Sequence, residues 1–103
     1  MNVIGIIPAR MDSSRYPGKP LKKILGMPMV GHCYHRTSMA LGIEKSFVAT
    51  CDTEIYDYII SIGGNAIMTA KTHTRATTRT AEALEIIEND IREKIDVVVM
   101  VQG

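Results

Sequence analysis

Val3-Ile4-Gly5-Ile6-Ile7-Pro8-Ala9-Arg10-Met11-Asp12-Ser13-Ser14-Arg15-Tyr16-Pro17-Gly18-Lys19-Pro20-Leu21 joins an unbroken apolar run to a loop rich in cations. No polar residue interrupts Val3 to Ile7, the pattern of a parallel strand covered on both faces. Ligands of open α/β sheets sit beyond the carboxyl ends of such strands. Arg10, Arg15 and Lys19 therefore gather where a polyanion can be held, with the Ser13 hydroxyl among them. Pro17 and Pro20 stiffen the loop, and Gly18 lets a ligand come close to the backbone. A basic surface turn would carry the same cations. The strand-to-loop context and the two prolines favour the anion site.

Downstream, short buried strands alternate with amphipathic helices. Residues 22–28 form a connector punctuated by Gly26 and Pro28, and Pro28 suits the first turn of a helix over about 28–41. Val30, Cys33 or Tyr34, Thr37 and Leu41 mark one face of it, and Gly42 stops it. Gly31 within this helix costs about 1 kcal/mol against alanine, which points to a close helix contact. Ser46–Thr50 is a second strand. Asp52 then stands as an N-cap, with Glu54 in the first turn, so capping accounts for Asp52 without a catalytic role. Ile55, Tyr58, Ile59 and Ile62 form the buried stripe of the helix that follows, and Gly63-Gly64 end it.

Ala66–Met68 make a third strand, and residues 69–77 are polar, cationic and turn-like. A helix from about Thr78 to Arg92 buries Ala81, Leu84, Ile87 and Ile91. Arg75, Thr77 and Arg79 near its start offer a second anion- or base-reading surface, or simply solvated loop residues. The last strand spans Asp96–Val101. Alternation of strands and helices requires a parallel sheet with right-handed crossovers. An order of 3-2-1-4, in sequence order of these strands, leaves the apolar fourth on an open edge, where another strand should pair or self-association should follow.

Composition bounds the function classes. Apolar residues make up 46% and charged residues 22%, a globular balance, and 103 residues suffice for one domain. A net charge of +1 removes any global electrostatic argument for nucleic acid or membrane binding. No stretch approaches the roughly 20 apolar residues of a membrane span, and no signal-like segment begins the chain, so the expected location is cytoplasmic. Cys33 and Cys51 lack Cys-x-x-Cys spacing and are expected to be buried, reduced thiols. His32, Cys33 and His35 do not converge on one helix face as metal ligands need to. Seven methionines point to an accommodating core.

The loop is not a Walker A loop, because Gly18-Lys19 is followed by Pro20 and Ser13 stands where the first glycine belongs. No Gly-x-Gly-x-x-Gly follows the strand either. It resembles the cytidylyltransferases that activate 3-deoxy-manno-octulosonate, the CMP-KDO synthetases, whose pattern is Pro-Ala-Arg-x-Gly-Ser-x-Arg-x-Pro-Gly-Lys-Pro-Leu. Pro8, Ala9, Arg10, Ser13, Arg15, Pro17, Gly18, Lys19, Pro20 and Leu21 match it, while Asp12 replaces a glycine. His73, Thr77, Arg79, Ala81 and Glu82 match a second family element, in which Arg75, Ala76 and Thr78 depart. The family's Val-Ala-Thr-Asp-Asp stands against Val48-Ala49-Thr50-Cys51-Asp52, and its Gly-Lys-Pro-Met-Ile against Gly26-Met27-Pro28-Met29-Val30. In the family the last strand continues Val-Gln-Gly-Asp-Glu-Pro, matched as far as Val101-Gln102-Gly103.

The resemblance implies a doubly wound, mostly parallel, Rossmann-like α/β sheet of the nucleotide-diphospho-sugar transferase type. Residues 1–103 would form its N-terminal nucleotide-binding portion, ending before the aspartate that holds magnesium. It further implies transfer of a cytidylyl group from CTP to an acidic sugar, 3-deoxy-manno-octulosonate, for lipopolysaccharide or capsule synthesis, in a homodimeric full-length enzyme. Arg10 and Lys19 would then be catalytic. Pro8, Ala9, Ser13, Arg15, Thr77, Arg79 and Gln102 would line the substrates, and the Mg²⁺ ligand would lie outside the chain. The segment alone is then expected to be inactive. Two alternatives stand beside this: a related sugar nucleotidyltransferase with another acceptor, and a non-catalytic nucleotide-binding module of the same fold. The carboxylate of Asp12 in a phosphate loop favours the second.

Overall fold

The structure, a computed structural model, describes residues 3–11, 21–40, 42–70, 76–91 and 95–101. Among these residues nine elements follow in order: β1 (Val3–Pro8), β2 (Lys23–Ile24), β3 (Met27–Pro28), α1 (Met29–Met39), β4 (Lys45–Thr50), α2 (Thr53–Ser61), β5 (Ala66–Met68), α3 (Ala76–Ile91) and β6 (Val97–Met100). Four strands form one parallel sheet in the order β5-β4-β1-β6. This is the α/β architecture and the 3-2-1-4 order expected from the sequence. β1 is central because it is apolar throughout: Ile4 to Ile7 are buried, as only a strand covered on both faces permits.

Side-chain alternation along β1 divides the core into two. Ile4 and Ile6 join Phe47, Ala49, Ala83, Ile87 and Ile95 beneath α3. Ile7 joins Val30, Cys33, Val48, Ile55 and Ile59 beneath α1 and α2. The predicted stripe of α2 is present, with Ile55 and Ile59 fully buried and Tyr58 and Ile62 packed beside them. Gly63 at φ +79° ends that helix, its N–H donating to Ile60 O while Gly64 N–H donates to Ile59 O, the paired bonds of a Schellman stop.

On α1, Cys33 takes the buried position and Tyr34 is half-buried, while Leu41 lies outside the described residues. The close contact expected at Gly31 is with Tyr58 of α2, whose Oη lies 2.5 Å from where a Cβ would stand. Gly5 has a similar reason. A Cβ there would meet Thr37 Cγ2 of α1 at 2.6 Å, so glycine lets α1 press against the central strand. Cys51 differs from expectation, since it is a half-buried thiol at the end of β4 and only Cys33 is buried.

The connector over residues 22–28 is a small hairpin. β2 and β3 pair antiparallel with Ile24 opposite Met27, and Leu25 and Gly26 turn at φ +54° and +82°. Two consecutive positive φ values are those of a type I′ turn. Met29 N–H donates to Lys22 O, and His32 Nε2–H donates to Ile24 O at 2.7 Å, tying the hairpin to α1. Pro28 precedes α1 and does not occupy its first turn.

β6 lies at the sheet edge with Val97 and Val99 exposed, and β1 is its partner among the described residues. No helix among the described residues is long and apolar enough to cross a membrane.

Candidate functional site

All four parallel strands point their carboxyl ends at one rim, and β1 stands at its middle. Pairing continues past the strand ends. Ala9 N–H donates to Ala49 O at 2.9 Å, and Val101 N–H donates to Ile6 O at 3.0 Å. Pro8, Ala9 and Arg10 therefore leave the sheet on a backbone still held by β4, and all three are half-buried. Ala9 and Met11 pack against the α1–α2 core, so alternation carries Arg10 to the face covered by α3. Met11 and Leu21, which bracket residues 12–20, rest on that same α1–α2 cluster. Ser13, Arg15 and Lys19 lie outside the described residues, as does Gln102.

α3 begins at Ala76, so Thr77 and Arg79 belong to its opening turns and not to a loop. The helix lies over β1, with Ala83 and Ile87 on the sheet, so Arg79, one turn before Ala83, lies nearer the carboxyl rim. Arg79 is 3% exposed whereas Thr77 is exposed, and the two do not share a helix face. Arg75 lies outside the described residues. Arg10 and Arg79 are thus the described cations that the fold brings to one face of the rim.

Carboxylates at this rim hold backbone. Glu82 of α3 accepts the Ala70 N–H with both oxygens, at 3.1 and 3.2 Å, directly after β5. Asp52 corrects the sequence expectation. It stands at the N-cap position of α2, yet its side chain makes no capping bond. Its Oδ2 accepts the Met11 N–H at 2.8 Å, across 41 residues of sequence. Asp52 N–H donates to Thr50 Oγ1 at 3.1 Å, which fixes the turn that presents the carboxylate. Sequence reasoning missed this contact because nothing in local spacing signals a side-chain bond to a distant backbone.

Among the described residues no group of three His, Cys, Asp or Glu side chains could hold a metal ion. A cavity of about 280 Å³ is lined by Lys45, Phe47, Asn65, Ile67, Ile87 and Asp90. It opens at the starts of β4 and β5, the rim opposite Arg10. Strand geometry, and not cavity size, selects the site in a parallel sheet.

Comparison with known proteins identifies the family. A family model described as cytidylyltransferase matches residues 4–103. The chain is 45% identical over 103 residues to a 3-deoxy-manno-octulosonate cytidylyltransferase of Syntrophobacter fumaroxidans, covering all of this chain and 40% of the relative. It is 46% identical over 87 residues to an 8-amino-3,8-dideoxy-manno-octulosonate cytidylyltransferase of Shewanella pealeana, covering 84% of this chain and 36% of that one. A solved CMP:2-keto-3-deoxy-manno-octonic acid synthetase in complex with CTP superposes with a TM-score of 0.87 at 36% identity, over all of this chain and 40% of the solved one. The chain spans about 40% of the length of these relatives. It belongs to the cytidylyltransferase family, among the CMP-KDO synthetases and their 8-amino counterparts.

Proposed function

We propose that this chain binds CTP at the carboxyl rim of β1, as part of a cytidylyltransferase that activates an acidic eight-carbon sugar and releases pyrophosphate. The observation that carries the proposal is Arg10, which leaves the central strand on a backbone held by Ala49 O and the Asp52 carboxylate. The likeness to a synthetase complexed with CTP supports the choice of nucleotide. In the reaction the sugar's anomeric hydroxyl attacks the α-phosphorus in line, and pyrophosphate leaves. Such chemistry needs alignment and charge neutralisation more than covalent assistance.

In this proposal Arg10 supplies a planar fork to phosphate oxygens and Lys19 a compact charge. Ser13 and Arg15 shape the same loop, the Pro8-Ala9 backbone and Arg79 face the base, and Thr77 and Gln102 border the cleft. Magnesium is what the family resemblance implies. The described residues do not gather three ligands for it, and no step here is routed through it. The sugar and a homodimeric assembly belong to the proposal at the level of the full-length enzyme, for which the relatives name 3-deoxy-manno-octulosonate and its 8-amino analogue.

The test is a calorimetric titration of the chain with CTP. A saturable heat that weakens with added salt is expected, because contacts between cations and phosphate are screened. No heat would return the loop to a basic surface turn and favour a non-binding remnant of the fold.

A further inference from the structure

Arg10 sits between two anchored amides. Ala9 N–H is held by Ala49 O of β4 at 2.9 Å, and Met11 N–H is held by Asp52 Oδ2 at 2.8 Å. The first bond is sheet pairing that any sequence could supply. The second depends on one side chain. Asp at an N-cap ordinarily accepts an N–H from its own helix, and here that bond is absent and the carboxylate spans to the β1 exit instead. The turn carrying it is braced, with Asp52 N–H on Thr50 Oγ1, Thr50 fully buried and Thr69 N–H on Thr50 O. Cys51 Sγ lies 3.8 Å from the same carboxylate oxygen. Packing on both sides of Arg10 agrees, since Ala9 and Met11 both rest on the α1–α2 cluster.

From this geometry we infer that Asp52 is a positioning residue for nucleotide binding, fixing the backbone on the far side of Arg10 through the Met11 amide. The inference rests on the proposed binding of CTP at this rim. Asp52 touches no substrate in this account. It removes backbone freedom at Met11, so that the Arg10 guanidinium is presented without having to be ordered when the nucleotide arrives. A hydrogen bond to a charged acceptor in a half-buried place is strong enough to do so. A carboxylate near a phosphate site would otherwise repel the ligand, and engaging it with an N–H offsets that cost.

Three substitutions separate the roles. Asp52→Asn keeps an acceptor of the same reach. Asp52→Ser keeps a good N-cap for α2 but is too short to reach Met11. Asp52→Ala removes the bond to Met11 and offers no cap to α2 either. Each variant is titrated with CTP by calorimetry, and exchange of the Met11 amide is followed by NMR.

Asp52→Asn, which keeps the acceptor but not its charge, should retain part of the Met11 protection and lose less CTP affinity than the other two variants. Asp52→Ser and Asp52→Ala should lose Met11 protection and about ten- to hundredfold in CTP affinity, the range of a charge-assisted hydrogen bond. Ile6 and Ile7 amides should stay protected, which shows that the sheet is intact. Wild-type affinity in a folded Asp52→Ser chain overturns the inference, and so does unchanged Met11 protection in that variant. A wild-type chain that binds no CTP sinks the nucleotide proposal and the positioning role with it, while Met11 exchange still decides whether the clamp exists.

Discussion

Arg10→Ala and Lys19→Ala are each expected to slow pyrophosphate release by about 10²–10³-fold in an enzyme of the relatives' full length that carries this segment. The triphosphate carries its charge on oxygens that must be neutralised as the bond to the leaving group breaks. A fixed cation at the end of a central strand does this without reorganising at the moment of reaction. Arg10 lies there on a backbone held from both sides. Arg10→Lys should recover part of the loss, since it restores the charge but not the planar fork. Steady-state kinetics with CTP and acceptor sugar measure the effect. Unchanged turnover in a folded Lys19→Ala or Arg10→Ala enzyme would remove that residue from the machinery.

Ile59→Ala should destabilise the chain by about 2–5 kcal/mol, the usual cost of emptying a large aliphatic position in a packed core. Ile59 is fully buried between α2 and the strands β1 and β4, beside Ile7, Val48 and Ile55. The loss is a large share of the roughly 5–15 kcal/mol available to a domain of this kind. Its neighbour Ile60 faces outward at 49% exposure, and Ile60→Ala should change stability by about 0.5 kcal/mol or less. Urea unfolding followed by circular dichroism compares the two. A midpoint for Ile59→Ala as high as for Ile60→Ala would mean that α2 does not dock as described. Because α2 starts at the turn that carries Asp52, loosening it should also weaken the hold on Met11.

What could be read in the residues themselves was whatever has a period or a local signature. β1 declared itself by an apolar run without alternation, α2 by Ile55 and Ile59 at helical spacing, and its end by Gly63-Gly64. The outermost place of β6 among the described strands followed from strand order alone. Less legible was the hairpin of β2 and β3, because Leu25 is a poor residue for a left-handed turn position and hides the signal that Gly26 gives. α3 starts at Ala76, two residues before the Thr78 that the sequence suggests, since threonines at a helix entrance look like loop. The side-chain bond from Asp52 to Met11 had no local trace, and the capping explanation was locally sufficient. Such a contact exists only once β1 and β4 lie side by side. The motif residues Pro8, Ala9 and Arg10 fall at the rim that strand polarity predicts, whereas Ser13, Arg15, Lys19 and Gln102 lie outside the described residues.

The central claim is that the nucleotide is held at the carboxyl rim of β1, and backbone amide NMR of the chain titrated with CTP tests it most directly. The Ala9, Arg10, Met11 and Asp52 amides should shift in a saturable way, with Arg10→Ala weakening the effect. Shifts confined to Lys45, Asn65 and Asp90, around the cavity at the opposite rim, would contradict the account.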